Sequence, residues 1–167
     1  MFKTPLALIV ILVSVLGAST ARAEQPACYT LESLQGSWAI IGTFGANVAK
    51  SLGKRDIEEN GSFSGTFVLN GPTAGSPTGA RTITTGTQNG SYSVNCDGTG
   101  TVTRILTASN GTTASQVDDF VITAAVVKHR EFIATAVTDV QRVPSALVAG
   151  GIFVTRVMTR VPDEREK

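Results

Sequence analysis

Histidine is nearly missing from these 167 residues, with His129 standing alone. One imidazole cannot build a three-histidine zinc centre within a chain, and neither a Cys-x-x-Cys pair nor a calcium-loop pattern occurs, so no metal site is expected. A serine hydrolase needs a serine on a Gly-x-Ser-x-Gly elbow beside a histidine. Here Gly61-Ser62-Phe63-Ser64-Gly65 has glycines at its ends but Phe63 at its centre. His129 itself falls in Lys128-His129-Arg130 between two predicted strands, where an exposed hairpin turn places it. Charge is scarce too, at 16% of residues, and no basic stripe stands out, which argues against a nucleic-acid partner. The paired acids Glu58-Glu59 and Asp118-Asp119 alternate faces on strands, so only one of each can enter a pocket. Edge-strand or rim positions are expected for both pairs. No pattern calls for a cofactor.

Long hydrophobic runs are also absent. The apolar stretch from Leu6 to Leu16 is broken by Ser14 and Gly17, too short to cross roughly 30 Å of hydrocarbon, so no membrane span is expected. With Lys3 before it and Ala21-Arg22-Ala23 after it, the stretch has the order of an export signal. Cleavage before Glu24 divides the chain into a signal peptide, 1–23, and one domain, 24–167, sent to the periplasm or outside the cell. No cysteine sits at the cleavage point for lipid attachment. Without Lys3 and Arg22, twelve basic side chains face thirteen acidic ones. Cysteine is reduced to Cys28 and Cys96. In an oxidising compartment a single disulfide between them is the economical reading, with free or intermolecular thiols the alternative. Its loop stabilises by roughly 4 kcal/mol in the chain-entropy model.

What remains is rich in glycine and threonine, with apolar residues alternating with small polar ones at the period of a strand. Strands are expected over 37–44, with Trp38, Ile40, Gly42 and Phe44 on one face, then over 62–69, 80–86, 90–94, 99–107, 117–127, 130–137 and 151–161. Turns are expected at Asn60-Gly61, Asn70-Gly71, Asn89-Gly90, Asp97-Gly98 and Asn110-Gly111, where Gly accepts positive φ. Three of these also read Asn-x-Ser/Thr, but the turn reading covers all five. Segment 45–60 holds a short strand or a loop, residues 70–80 a surface loop and 162–167 a frayed polar tail. Sequential hairpins without helical crossovers point to an all-β, antiparallel, eight-stranded up-and-down β-barrel, with a Greek-key β-sandwich as the alternative.

The stretch Leu31-Glu32-Ser33-Leu34-Gln35-Gly36-Ser37-Trp38 resembles the opening of lipocalin and calycin barrels, where a short helical turn precedes Gly-x-Trp on the first strand. The resemblance implies that Trp38 closes the barrel base under an Arg from the last strand, Arg160 first and Arg156 second. Thr138-Asp139 echoes the family's second motif, with Arg142 nearby in place of its tyrosine. The strands around Gly90-Ser91-Tyr92-Ser93-Val94, Cys96-Asp97-Gly98-Thr99-Gly100-Thr101-Val102-Thr103 and Arg130-Glu131-Phe132-Ile133-Ala134-Thr135 are similar to small exported bacterial proteins of unassigned role, of lipocalin or allene-oxide-cyclase barrel type.

Three functions follow as expectations. The preferred one is a non-enzymatic exported barrel holding a small apolar ligand against Trp38, Ile40, Gly42 and Phe44, where Gly42 and Gly65 leave space. The second is a structural or protein-interaction role at the cell envelope, with Phe63, Phe67, Tyr92 or Phe153 as surface anchors. The third is a barrel isomerase or cyclase. A cavity of several hundred Å³ separates the first and third from the second.

Overall fold

The computed structural model describes residues 28–44, 49–73, 75–144, 147 and 153–162. The expected signal peptide and most of the polar tail lie outside them. A 3-10 helix, Leu31–Leu34, leads into eight strands: β1 (Gly36–Phe44), β2 (Ala49–Ile57), β3 (Ser62–Pro72), β4 (Arg81–Val94), β5 (Thr99–Ala108), β6 (Thr113–Lys128), β7 (Glu131–Gln141) and β8 (Thr155–Arg160). Each pairs antiparallel with the next, and β1 pairs with β8 from Trp38↔Arg160 to Thr43↔Thr155, so the sheet closes into an up-and-down barrel and not a sandwich. Closure removes both sheet edges.

Eight is the expected number of strands, reached by a different division of the chain. Residues 49–57 form a full strand, and the segments 80–86 and 90–94 are one strand, β4. Asn89-Gly90 is not a turn: Gly90 pairs with Phe63 on one side and Arg104 on the other. A Cβ on Gly90 would lie 2.8 Å from Arg104 Cα and 2.9 Å from the Phe63 ring, so glycine is there for close approach. Asn70-Gly71 likewise continues β3. The other three dipeptides do turn, with φ of +79° at Gly61 and +85° at Gly98 and Gly111. His129 and Arg130 both take positive φ and are exposed at the β6–β7 hairpin.

Alternation along the strands sends one side chain in two to the interior, as in β5, where Gly100, Val102, Arg104, Leu106 and Ala108 are buried. The narrow lumen is filled by pairing large with small: Phe67 opposes Gly86, Phe63 opposes Gly90 and Phe120 opposes Gly100 in register, each ring lying where a Cβ would be. The interior then has three levels. An apolar floor holds Leu34, Trp38, Ile57, Phe63, Tyr92, Val102, Phe120, Val137 and Met158. Above it is a polar waist, and above that a smaller apolar cluster of Phe67, Leu69, Leu106 and Val154. At the floor, Cys28 and Cys96 are joined in a disulfide, with Cα atoms 4.5 Å apart. Next to it Tyr29 N–H donates to the Cys96 carbonyl, pinning the chain before the 3-10 helix to the β4–β5 turn.

Candidate functional site

The floor is built around Trp38, fully buried, its indole N–H donating to the Leu34 carbonyl at 2.8 Å. Arg160 lies over the ring, its guanidinium carbon 4.9 Å from the centroid. It also donates to the carbonyls of Ala134 at 2.6 Å, Ser33 at 2.9 Å and Gln35. One arginine thus fastens β8 to the 3-10 helix and to β7. Gly36 has φ +123°, and a Cβ on it would fall 2.6 Å from an Arg160 nitrogen, so the glycine of Gly-x-Trp makes room for the guanidinium. Burial lowers the Arg160 pKa from its usual value. The interior at this end is filled by buried apolar side chains, and the open hollow outside it, between the 3-10 helix and the β2–β3 turn, is lined by Glu32, Glu58, Glu59 and Asn60.

Arg156 is elsewhere. It sits in the waist, 2.7 Å from Asp118 and 2.8 Å from Asp139. Burial pulls its pKa down, but Asp139 and then Asp118 outweigh that, leaving it raised. Asp118 also takes Arg104 at 2.9 Å and is completely buried, which corrects the rim position expected from the sequence. Asp119 does face outward, on the exposed Arg142. Arg55 donates to Gln88 at 3.0 Å and to the Tyr92 hydroxyl at 2.6 Å, and burial raises the Tyr92 pKa above its usual value. For Arg104, burial and then the charges of Arg156 and Arg55 bring the pKa down to about 9. Not every group at the waist is satisfied: Arg55 Nη2, Arg104 Nη2, Gln141 Nε2 and both amide atoms of Gln116 have no hydrogen-bond partner among the described residues. A buried polar atom left so costs about 1–3 kcal/mol.

Between the waist and the upper apolar cluster lies a cleft of about 40 Å³. Arg104, Gln116 and Arg156 form its polar side, and Ser51, Phe67, Leu69, Leu106, Leu147 and Val154 complete its lining. This is far below the several hundred Å³ of a site that swallows a whole ligand. The first-strand face expected to meet a ligand does not surround it. Trp38 and Ile40 belong to the floor core, and the Phe44 side chain is outside what the structure describes. The space read into Gly42 is taken: a Cβ there would meet Ser51 Oγ, Arg156 Cγ at 3.0 Å and Val154 Cγ1 at 3.2 Å. Gly65 is equally closed, by the backbone of Lys54 and Arg55.

An eight-stranded up-and-down barrel, entered by a short helix and a Gly-x-Trp strand, is lipocalin-like in architecture. Family models and curated proteins show no match to this chain. Among solved structures, a biogenic amine-binding protein in its selenomethionine form is similar at 12% identity and a TM-score of 0.41, over 84% of this chain and 73% of that one.

Sequence reasoning missed Arg104, Gln116 and the interior role of Asp118. Their signal was phase: Arg104 stands two residues from both Val102 and Leu106, and Asp118 stands two from Phe120, so all share the inward face. Of the candidate surface anchors, Phe63, Phe67 and Tyr92 are interior, and Phe153 is 59% exposed.

Proposed function

We propose that this protein is an exported, non-enzymatic barrel that binds a small molecule by one end in the cleft above the polar waist. The cleft carries the reading: apolar walls and unsatisfied polar groups meet there in the barrel interior. A lumen packed throughout would have favoured the outer surface instead. Export is supported by the Cys28–Cys96 disulfide, which suits an oxidising compartment, and among the described residues no helix is long and apolar enough to cross a membrane. With a volume of about 40 Å³ the cleft admits a head group, while the rest of the ligand runs out along Phe67, Leu69, Leu106 and Val154. A neutral naphthylamine probe tests this without reference to charge. It is expected to bind once per chain and to raise the melting temperature with occupancy. Leu69→Phe, which adds bulk to the cleft wall, should weaken it. Binding indifferent to Leu69→Phe, or none, would defeat the reading.

A second reading rests on the outer face, where Val157, Ile41, Leu52 and Val68 are neighbours in register across β8, β1, β2 and β3. All four are exposed, an apolar row suited to a protein partner. It would be favoured if the cleft bound nothing and Leu52→Lys altered association in sedimentation.

A further inference from the structure

Charges inside the barrel do not balance. Arg55 from β2, Arg104 from β5 and Arg156 from β8 face Asp118 from β6 and Asp139 from β7, leaving one positive charge unanswered among the described buried residues. Asp139 accepts from Arg156, and Asp118 is divided between Arg156 and Arg104. Arg104 is therefore the least compensated of the two arginines on the cleft. Its Nη2 has no partner, and its Nη1 reaches Gln88 only at 3.5 Å. Gln116, 1% exposed on the neighbouring strand, has neither amide atom bonded. Both side chains line the cleft.

Resting on the cleft as a ligand site, we propose that the ligand is a monocarboxylate with a short to medium apolar chain, its head held by Arg104 and Gln116. Arg55, whose partners Gln88, Tyr92 and Met158 are neutral, does not line the cleft, so a single negative charge beside Arg104 balances the waist as a whole while using the guanidinium edge that Asp118 leaves free. The flat carboxylate suits the guanidinium fork, and the amide of Gln116 supplies a further donor. A dianionic phosphate would overshoot the charge and is bulkier, while an ammonium head would be repelled by three guanidinium groups. Phe67, Leu69, Leu106 and Val154 then cover the first carbons of the chain.

The test compares octanoate, octylamine and 1-octanol, equal in chain and different in head, by calorimetric titration of the purified protein. Octanoate is expected to bind at one site per chain, at least roughly tenfold more tightly than either of the others. Arg104→Met leaves two arginines facing two aspartates, and it should abolish the preference for octanoate. Gln116→Leu removes an unsatisfied amide, so it should fold at least as well as the parent while weakening octanoate about tenfold. Octanol or octylamine binding as tightly as octanoate would overturn the carboxylate assignment and leave the cleft as a ligand site. Octanoate binding untouched by both substitutions would place it elsewhere and overturn the assignment too. No binding of any of the three, or of the neutral probe, would remove the cleft itself.

Discussion

Asp118 and Asp119 are adjacent in the chain and opposite in circumstance. Asp118 is fully buried between two guanidinium groups, so Asp118→Asn would strand Arg104 and part of Arg156 in a low-dielectric interior. A loss of about 3–5 kcal/mol in denaturant unfolding is expected, the cost of breaking a buried pair from one side. Asp119→Asn breaks an ion pair open to water and should leave the unfolding midpoint unchanged. Arg160→Met removes the cation over Trp38, a contact of about 0.5–2 kcal/mol, and three hydrogen bonds with it. A lower melting temperature and altered tryptophan fluorescence should both follow. Arg104 also sets a pH dependence. Arg55 on β2 and Arg156 on β8 oppose its charge, and Asp118 on β6 and Asp139 on β7 support it, with burial the leading cause of a pKa near 9. Because binding uses the charged form of both partners, affinity for octanoate should be level from about pH 6, above the ordinary carboxyl range, and fall as pH rises through about 9. A profile flat to pH 10.5 would show that the ion pair with Asp118 keeps Arg104 charged in spite of its burial, and Arg104→Met would then remain the test of its role.

Strands β3, β4 and β5 show the same dipeptide put to two uses. Asn110-Gly111 turns between β5 and β6 with φ +85° and nothing within 4 Å of an added Cβ. Gly111→Ala should therefore cost only the strain of positive φ, about 1–2 kcal/mol. Asn89-Gly90 lies in mid-strand, where an added methyl meets the Thr103 carbonyl and the Phe63 ring. Gly90→Ala must part β4 from β5 or displace a core aromatic, and a greater loss of stability than for Gly111→Ala is expected from paired urea titrations. Equal losses would mean that the Phe–Gly pairing does not pack the interior as described.

At the scale of the whole barrel, the two ends differ in construction. The floor carries the 3-10 helix, the Trp38–Arg160 contact and the disulfide, and it is packed. The cleft lies toward the other end, where β7 connects to β8 and Leu147 joins its lining. The cleft and the most heavily fastened end are thus kept apart. Intact protein should run as a monomer two hydrogens lighter than its reduced form in non-reducing mass spectrometry. Reduction should lower stability by roughly 4 kcal/mol yet leave octanoate affinity unchanged, since Cys28 and Cys96 are at the floor. A loss of affinity on reduction would mean the two ends are coupled.

Alternation and turn chemistry made the antiparallel barrel legible from the sequence, because both act over a few residues: period 2 selects a face, and Gly61, Gly98 and Gly111 permit the turns. The pairing of Cys28 with Cys96 needed only a count of cysteines. Leu34, Gly36 and Trp38 could be read together for the same reason, being neighbours in the chain. Tertiary structure alone decided whether an Asn-Gly made a turn or a seat for a ring, since that depends on which strand lies opposite. It alone gathered the waist, whose charged members come from β2, β5, β6, β7 and β8. Alternation sends Arg55, Arg104, Asp118, Asp139 and Arg156 inward one by one, but which of them share a level is set by the stagger of strands on closure, a property of the whole sheet that no single strand encodes.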